Sequence, residues 1–363
     1  MRKAIVCASL ACASVSAIAD NNILPTRSRD RLTTGSHSLS TIWTKKTFIG
    51  AGYDVIKYDI EQNGNNLANG DTKIGSISGG YGGEIFSIEY ALGSGRIKSQ
   101  TSSTRSTNDS TVVLANMGFK LTETFGLSLG VNSICSEEQN GDETTASDVD
   151  LGASINLENG TYIGFGIGSK RTEKVPMTNP SYDVSTTTFF AGIGHENFEN
   201  DNGYQIEGFI KLNSENRGDE SGGKFLIQPS RSIVEINYLY ALDNLEFTAS
   251  VSNESGEVTE SGYEKETTIS TIELELEYKI NENFYIKPAL ALNSEEVEVT
   301  KSTSSESEEE EFYSIYGIGA GFRTSNIEFN AKYGFLTGTY KEKSAPEYDA
   351  DGHTLSINLG YIF

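Results

Sequence analysis

The 363-residue chain carries 28 basic and 51 acidic residues, a formal net charge of -23, and 36% of it is hydrophobic. That balance argues against a nucleic-acid partner, because neutralising phosphates needs a basic surface. No run of about 18 apolar residues follows residue 19, which excludes helical membrane spans, while Gly 37, Tyr 18 and Phe 17 against Pro 6 favour many strands joined by turns.

Residues 1–19 read as a secretory signal peptide: Arg2-Lys3, an apolar stretch from Ala4, then Ala17-Ile18-Ala19 before Asp20. A lipoprotein leader acylated at Cys12 would leave a very short apolar segment and is the weaker reading. Cys7 and Cys12 both fall in the leader, so Cys135 has no partner for an intramolecular disulfide in the remainder. Residues 20–45 are polar, carry Arg27, Arg29 and Arg31, and show no period. They read as a solvated periplasmic or lumenal lead-in, with a plug as the less favoured alternative.

From residue 46 to 363 the pattern is strand, turn, strand, polar stretch, repeated every 20 residues or so. Apolar side chains alternate with polar or small ones at 49–55, 86–92, 115–121, 125–131, 149–157, 163–167, 189–193, 204–212, 234–240 and 245–251. The series continues at 272–278, 284–292, 316–322 and 327–335. A Gly-rich strand near 74–81 and the final segment bring the expected count to about sixteen. Short turns alternate with longer polar stretches, near 62–71, 97–110, 134–147, 171–181, 213–229, 253–267, 294–311 and 342–351, which read as loops. Phe86, Phe119, Phe125, Tyr204, Tyr240, Phe247, Tyr278, Phe284, Phe322, Phe329 and Tyr361 all sit on the apolar face near the short-turn end, as an interfacial aromatic girdle would. Pro288 interrupts its strand and predicts a bulge or local distortion there.

The chain ends Gly352-His-Thr-Leu-Ser-Ile-Asn-Leu-Gly-Tyr-Ile-Phe363, with Leu355, Ile357, Leu359, Tyr361 and Phe363 on one side of an extended strand. This ending resembles the closing strand of Gram-negative outer-membrane β-barrels, read by the barrel-assembly machinery as polar-x-Gly-x-x-aromatic-x-aromatic. Ser356, Tyr361 and Phe363 match; Asn358 stands where the pattern has glycine, and Gly360 lies two places late. The resemblance implies an all-β, transmembrane, up-and-down antiparallel barrel of porin-like class in the cell outer membrane. Both chain ends would lie in the periplasm, Tyr361 and Phe363 would serve as the assembly signal, and outer-membrane lipid and lipopolysaccharide would be the surroundings. Oligomerisation is left open.

On the face opposite the lipid the alternation places Asp54, Glu89, Asp150, Glu207, Glu235, Glu246, Glu273, Glu275, Glu277 and Glu328, with Lys120, Lys211, Lys279, Lys287 and Lys332. A pore lined in this way would concentrate cations. The expected role is passive diffusion of small hydrophilic solutes, with Glu273, Glu275 and Glu277 as the densest acidic stripe. Carboxylates paired across strands with lysines are the equal alternative for that stripe. A non-transporting structural or adhesin-like barrel is the second class of function, and a soluble extracellular β protein the third. No cofactor is expected. The run Glu308, Glu309, Glu310 and Glu311 supplies hard oxygens that suit Ca²⁺ or Mg²⁺ bridging to lipopolysaccharide, although such a block is more often a solvated loop tip. Enzymatic readings are poor: the histidines His37, His195 and His353 are scattered, and His353 with Asp349 or Asp351 is the one pair at a barrel rim.

Overall fold

The computed structural model describes residues 47–363, apart from 102–104, 139–140, 158, 176–181, 200–201, 214–215, 220–224, 229, 261–262, 302–306 and 343–346. The proposed leader and lead-in lie outside the described residues. The strands, in chain order, are β1 (Phe48–Gln62), β2 (Asn65–Gly82), β3 (Phe86–Thr101), β4 (Arg105–Lys120), β5 (Phe125–Glu138), β6 (Glu143–Asn156), β7 (Thr161–Val175), β8 (Tyr182–Glu199) and β9 (Asn202–Asn213). They continue with β10 (Asn216–Asp219), β11 (Phe225–Gln228), β12 (Ser230–Leu242), β13 (Leu245–Glu260), β14 (Tyr263–Lys279), β15 (Phe284–Lys301), β16 (Ser307–Arg323), β17 (Ile327–Glu342) and β18 (Tyr348–Ile362).

Sixteen of these close into one antiparallel barrel, and β10 pairs only with β11 as a separate hairpin. Closure is made by β1 and β18, in register from Phe48↔Ile362 to Glu61↔Asp349. Beyond the strand's end the Phe363 amide donates to the Thr47 carbonyl at 2.9 Å. The ring therefore has no free edge to attract another chain.

At the end that holds Phe48 and Phe363, short connections are tied by side chains. Thr122 Oγ1 accepts from the Phe125 amide at 3.0 Å, Asn281 Oδ1 from the Phe284 amide at 2.9 Å, and Thr324 Oγ1 from the Ile327 amide at 2.9 Å. Hydroxyl and amide oxygens that bond the backbone two or three residues on mimic a turn and stop a strand.

The other end corrects the sequence reading. Most of the stretches taken there as long loops are strand. β1 and β2 meet in a two-residue turn, Asn63 (φ 51°) and Gly64 (φ 75°), the doubly left-handed geometry that suits a twisted hairpin. β13 runs to Glu260 and β14 starts at Tyr263; β15 extends to Lys301 and β16 starts at Ser307. The proposed metal-binding run is thus part of a strand: Glu310 is exposed and 3.5 Å from Lys341, while Glu311, the next residue, is buried on the opposite face.

Along each wall the polarity inverts. Towards the end that holds Phe48 and Phe363, apolar side chains such as Ile49, Tyr53, Leu92, Phe284, Ile318 and Phe329 are exposed on the outside, and Asp54, Ser78, Glu89 and Glu277 are buried on the inside. Further along, the outside turns charged, with Lys57, Asp59, Arg96, Glu296 and Glu298 exposed. The inside there turns apolar: Ile56, Tyr58, Ile60, Ala68, Tyr313, Leu336 and Ala350 form one buried cluster, with Ile97, Ile315 and Tyr348 packed against it. An apolar outer band followed by a polar collar is what a wall would need to pass from hydrocarbon into water. The girdle residues pair across strands, with ring centroids 5.1 Å apart for Phe86–Phe119 and 5.0 Å for Phe284–Phe322.

Several inner rings lie flat over a glycine directly opposite on the next strand: Phe48 on Gly80, Tyr58 on Gly70, Tyr162 on Gly194 and Tyr285 on Gly321. A Cβ at Gly70 would fall 2.3 Å from the Tyr58 ring. Gly70→Val should therefore displace the ring and cost about 1–3 kcal/mol by overpacking, read as a lower urea midpoint for unfolding; an unchanged midpoint would refute the contact. At Pro288 the expected local distortion takes the form of a gap in the ladder and not of a bulge. The β14–β15 ladder keeps one register on either side, Glu275↔Ala289 and Tyr278↔Ile286, and only the pairing between them is interrupted. The missing N–H removes a bond without shifting the strand.

Candidate functional site

The chemistry-bearing residues lie on the inner wall of the half nearest Phe48 and Phe363. Gly317, Gly319 and Gly321 of β16 and Ala289 and Ala291 of β15 share that inner face with longer neighbours. Their small side chains leave room for charged groups from β14 to β17 to reach one another across intervening strands.

Arg323 is the centre of that group. Its Nη1 donates to Glu277 at 2.8 Å and its Nη2 to Glu328 at 2.6 Å, and all three side chains are no more than 8% exposed. Its guanidinium also lies 4.7 Å from the centroid of the Tyr285 ring, whose hydroxyl donates to Glu328 at 3.0 Å. Lys287 reaches Glu275 at 2.9 Å and Glu277 at 3.4 Å, and Lys332 reaches Glu275 at 3.7 Å. Three carboxylates thus face three cations in one cluster. This geometry favours the paired alternative for Glu275 and Glu277 over an unopposed acidic stripe; Glu273 extends the same strand face one step further.

Across the barrel a second polar group forms on β6 to β9. Tyr162 donates to Glu207, and Gln205 Nε2 donates to the Tyr162 hydroxyl at 3.0 Å and to Glu207 at 3.2 Å. Lys211 spans two strands to Asp148 at 3.3 Å and Asp150 at 4.0 Å. The glycines Gly166, Gly168 and Gly192 lie on the same inner face of β7 and β8, between those partners. Asn237 donates to Glu235 at 2.7 Å on β12, and Glu89 and Glu246 are buried on β3 and β13.

The residues proposed for the inner wall from sequence lie on the strand face opposite the exposed apolar side chains. Arg323, Tyr162, Tyr285 and Gln205 join them without having been singled out. Arg323 shares strand parity with Gly319 and Gly321, and Tyr285 alternates with outward Phe284, so parity alone puts both on that face; no sequence signal marks them as partners of the charged cluster. Tyr361 and Phe363 point outward, 43% and 74% exposed, with their rings 5.0 Å apart. His353 also faces outward and stacks on Tyr333 at 6.2 Å.

No protein-family model and no curated protein matches the sequence. Among solved structures, CdiB from Acinetobacter baumannii superposes with a TM-score of 0.50 at 12% identity, over 86% of this chain and 60% of its own. A mutant of the TodX monoaromatic hydrocarbon channel gives 0.47 at 8% identity, over 92% of this chain and 96% of its own. A Pseudomonas aeruginosa FadL homologue gives 0.43 at 9% identity, over 88% and 91%. At such identities a likeness speaks for the fold alone, a closed barrel of sixteen antiparallel strands.

Proposed function

We propose that the protein is an outer-membrane channel for passive diffusion of small hydrophilic solutes, with a preference for cations. The observation that carries this is the pairing of an apolar outer band with a charged inner wall on a closed ring of sixteen strands. A ring of that size encloses more volume than its wall side chains fill. The cluster around Arg323 is balanced in charge. Around the rest of the described inner wall carboxylates outnumber cations: Asp54, Glu89, Asp148, Asp150, Glu196, Glu207, Glu235, Glu246, Glu254, Glu273, Glu295 and Glu311 stand against Lys120, Lys170, Lys211, Arg231 and Lys279. An acidic interior between low-dielectric walls raises the local concentration of cations.

Folded protein in planar bilayers should give discrete conductance steps, with a reversal potential on the cation side at low salt. Changing Glu273, Glu275 and Glu277 together to Gln should move that potential towards anions, since Lys287, Lys332 and Arg323 would then outnumber their partners. Absence of steps from folded protein would leave the non-transporting barrel as the better reading. Steps with an unmoved potential would remove this stripe from selectivity.

A further inference from the structure

The outer surface just beyond the apolar band is not uniform around the barrel. On β14 to β18 it carries exposed Glu266, Glu296, Glu298, Glu310 and Asp349 against Lys341. On β1 to β3 the same level carries Lys57, Lys73, Arg96 and Lys98, interleaved with Asp59 and Asp71. Lys73 stands directly opposite Arg96 across the β2–β3 ladder, and like charges at such a position destabilise a sheet. Asp71 lies 3.1 Å from Lys73, and Asp109 takes Nε and Nη2 of Arg96 at 2.6 and 2.9 Å, which leaves Nη1 outside that fork. Both cations remain about half exposed, 48% and 57%.

One step towards the apolar band the wall has a notch. Gly75 faces outward opposite Ser94, and a Cβ at Gly75 would meet no atom within 4 Å. Tyr53 stands opposite Gly75 on the other side, and exposed Ile77 and Leu92 continue below. Two cations thus overhang a small polar recess at the level where the outside passes from apolar to charged. Lipid headgroups sit at that level in a bilayer, and basic groups there attract anionic ones.

We propose that this notch binds the phosphorylated headgroup of an anionic lipid, with a phosphate between Lys73 and Arg96, a headgroup hydroxyl at Ser94, and acyl chains lying down Ile77 and Leu92. The acidic arc on β14 to β18 repels such a headgroup, so the lipid takes one side of the barrel. This rests on the reading of the protein as membrane-spanning, but not on its conducting.

The test is native mass spectrometry of the folded, detergent-solubilised protein titrated with lipid A carrying two phosphates, one phosphate or none. Removal of each cation should weaken binding roughly fivefold at low salt, so Lys73→Gln, Arg96→Gln and Lys98→Gln together should cost on the order of 100-fold. Gly75→Leu fills the recess without changing charge and should also weaken binding; this variant decides the matter if the triple variant fails to fold. Arg171→Gln with Lys341→Gln removes exposed cations elsewhere on the collar and should leave binding unchanged. Full retention of lipid by the triple variant or by Gly75→Leu, or equal loss in the collar control, would overturn the site. Equal binding of lipid A without phosphate, or displacement by inorganic phosphate alone, would overturn the lipid assignment. A barrel that binds lipid yet shows no conductance would contradict only the channel.

Discussion

Replacing Arg323 by Met is expected to lower barrel stability by about 3–5 kcal/mol, the range for removing one partner of a buried ion pair. The size follows from what is stranded. Glu277 keeps Lys287 at 3.4 Å, but Glu328 is left with the Tyr285 hydroxyl at 3.0 Å and, among the described residues, no cation in an ion pair with it. Both carboxylates are buried, so neither can recover the loss from water. The measurement is a urea titration of refolded protein followed by the mobility difference between folded and heated bands on gels. Glu328→Gln in the Arg323→Met background should recover part of the loss, because it removes the stranded charge; a double-mutant cycle isolates that coupling. A shift below about 1 kcal/mol, the value typical of exposed pairs, would mean that the cluster is wet and holds little of the fold.

Removing Phe363 should have the second large effect, and on assembly more than on stability. Its ring is 74% exposed and touches mainly Tyr361, so the closed barrel gains little packing from it. What it contributes to the ladder is a backbone bond, its amide to the Thr47 carbonyl at 2.9 Å. Phe363→Ala keeps that bond and deletes only the ring. If the ring is a recognition feature, Phe363→Ala should sharply reduce heat-modifiable protein in membranes while the refolded variant keeps its urea midpoint within about 0.5 kcal/mol. Normal membrane levels would remove the assembly role, and a large midpoint shift would show that the ring stabilises the barrel itself.

The half of each strand nearest the Phe48 and Phe363 end is legible because one periodicity rules there: apolar out, polar or small in. Ile49 to Val55, Phe284 to Leu292 and Ile327 to Phe335 could be assigned both a strand and a face from alternation alone. The far halves were not legible as strand. At Lys57 to Glu61 the apolar residues change to the inner face, and at Glu295 to Glu298 polar residues dominate both faces, so the pattern resembles a loop. The candidate site was half legible. Alternation assigns Glu275, Lys287 and Lys332 to the same face, but only register shows that Glu275 meets Lys287, only the glycine floor of β16 lets Lys332 reach across, and only geometry recruits Arg323 from a strand end.

The level at which each wall changes from greasy outside to greasy inside works as a waterline. In a bilayer, raising the barrel by one two-residue step would lift side chains such as Tyr53 and Leu92 out of oil, and sinking it would drag Lys57 and Arg96 in. Either displacement is opposed from both directions at once, so the molecule should float at one depth. A bilayer thicker than the band would be thinned around it rather than tilt it.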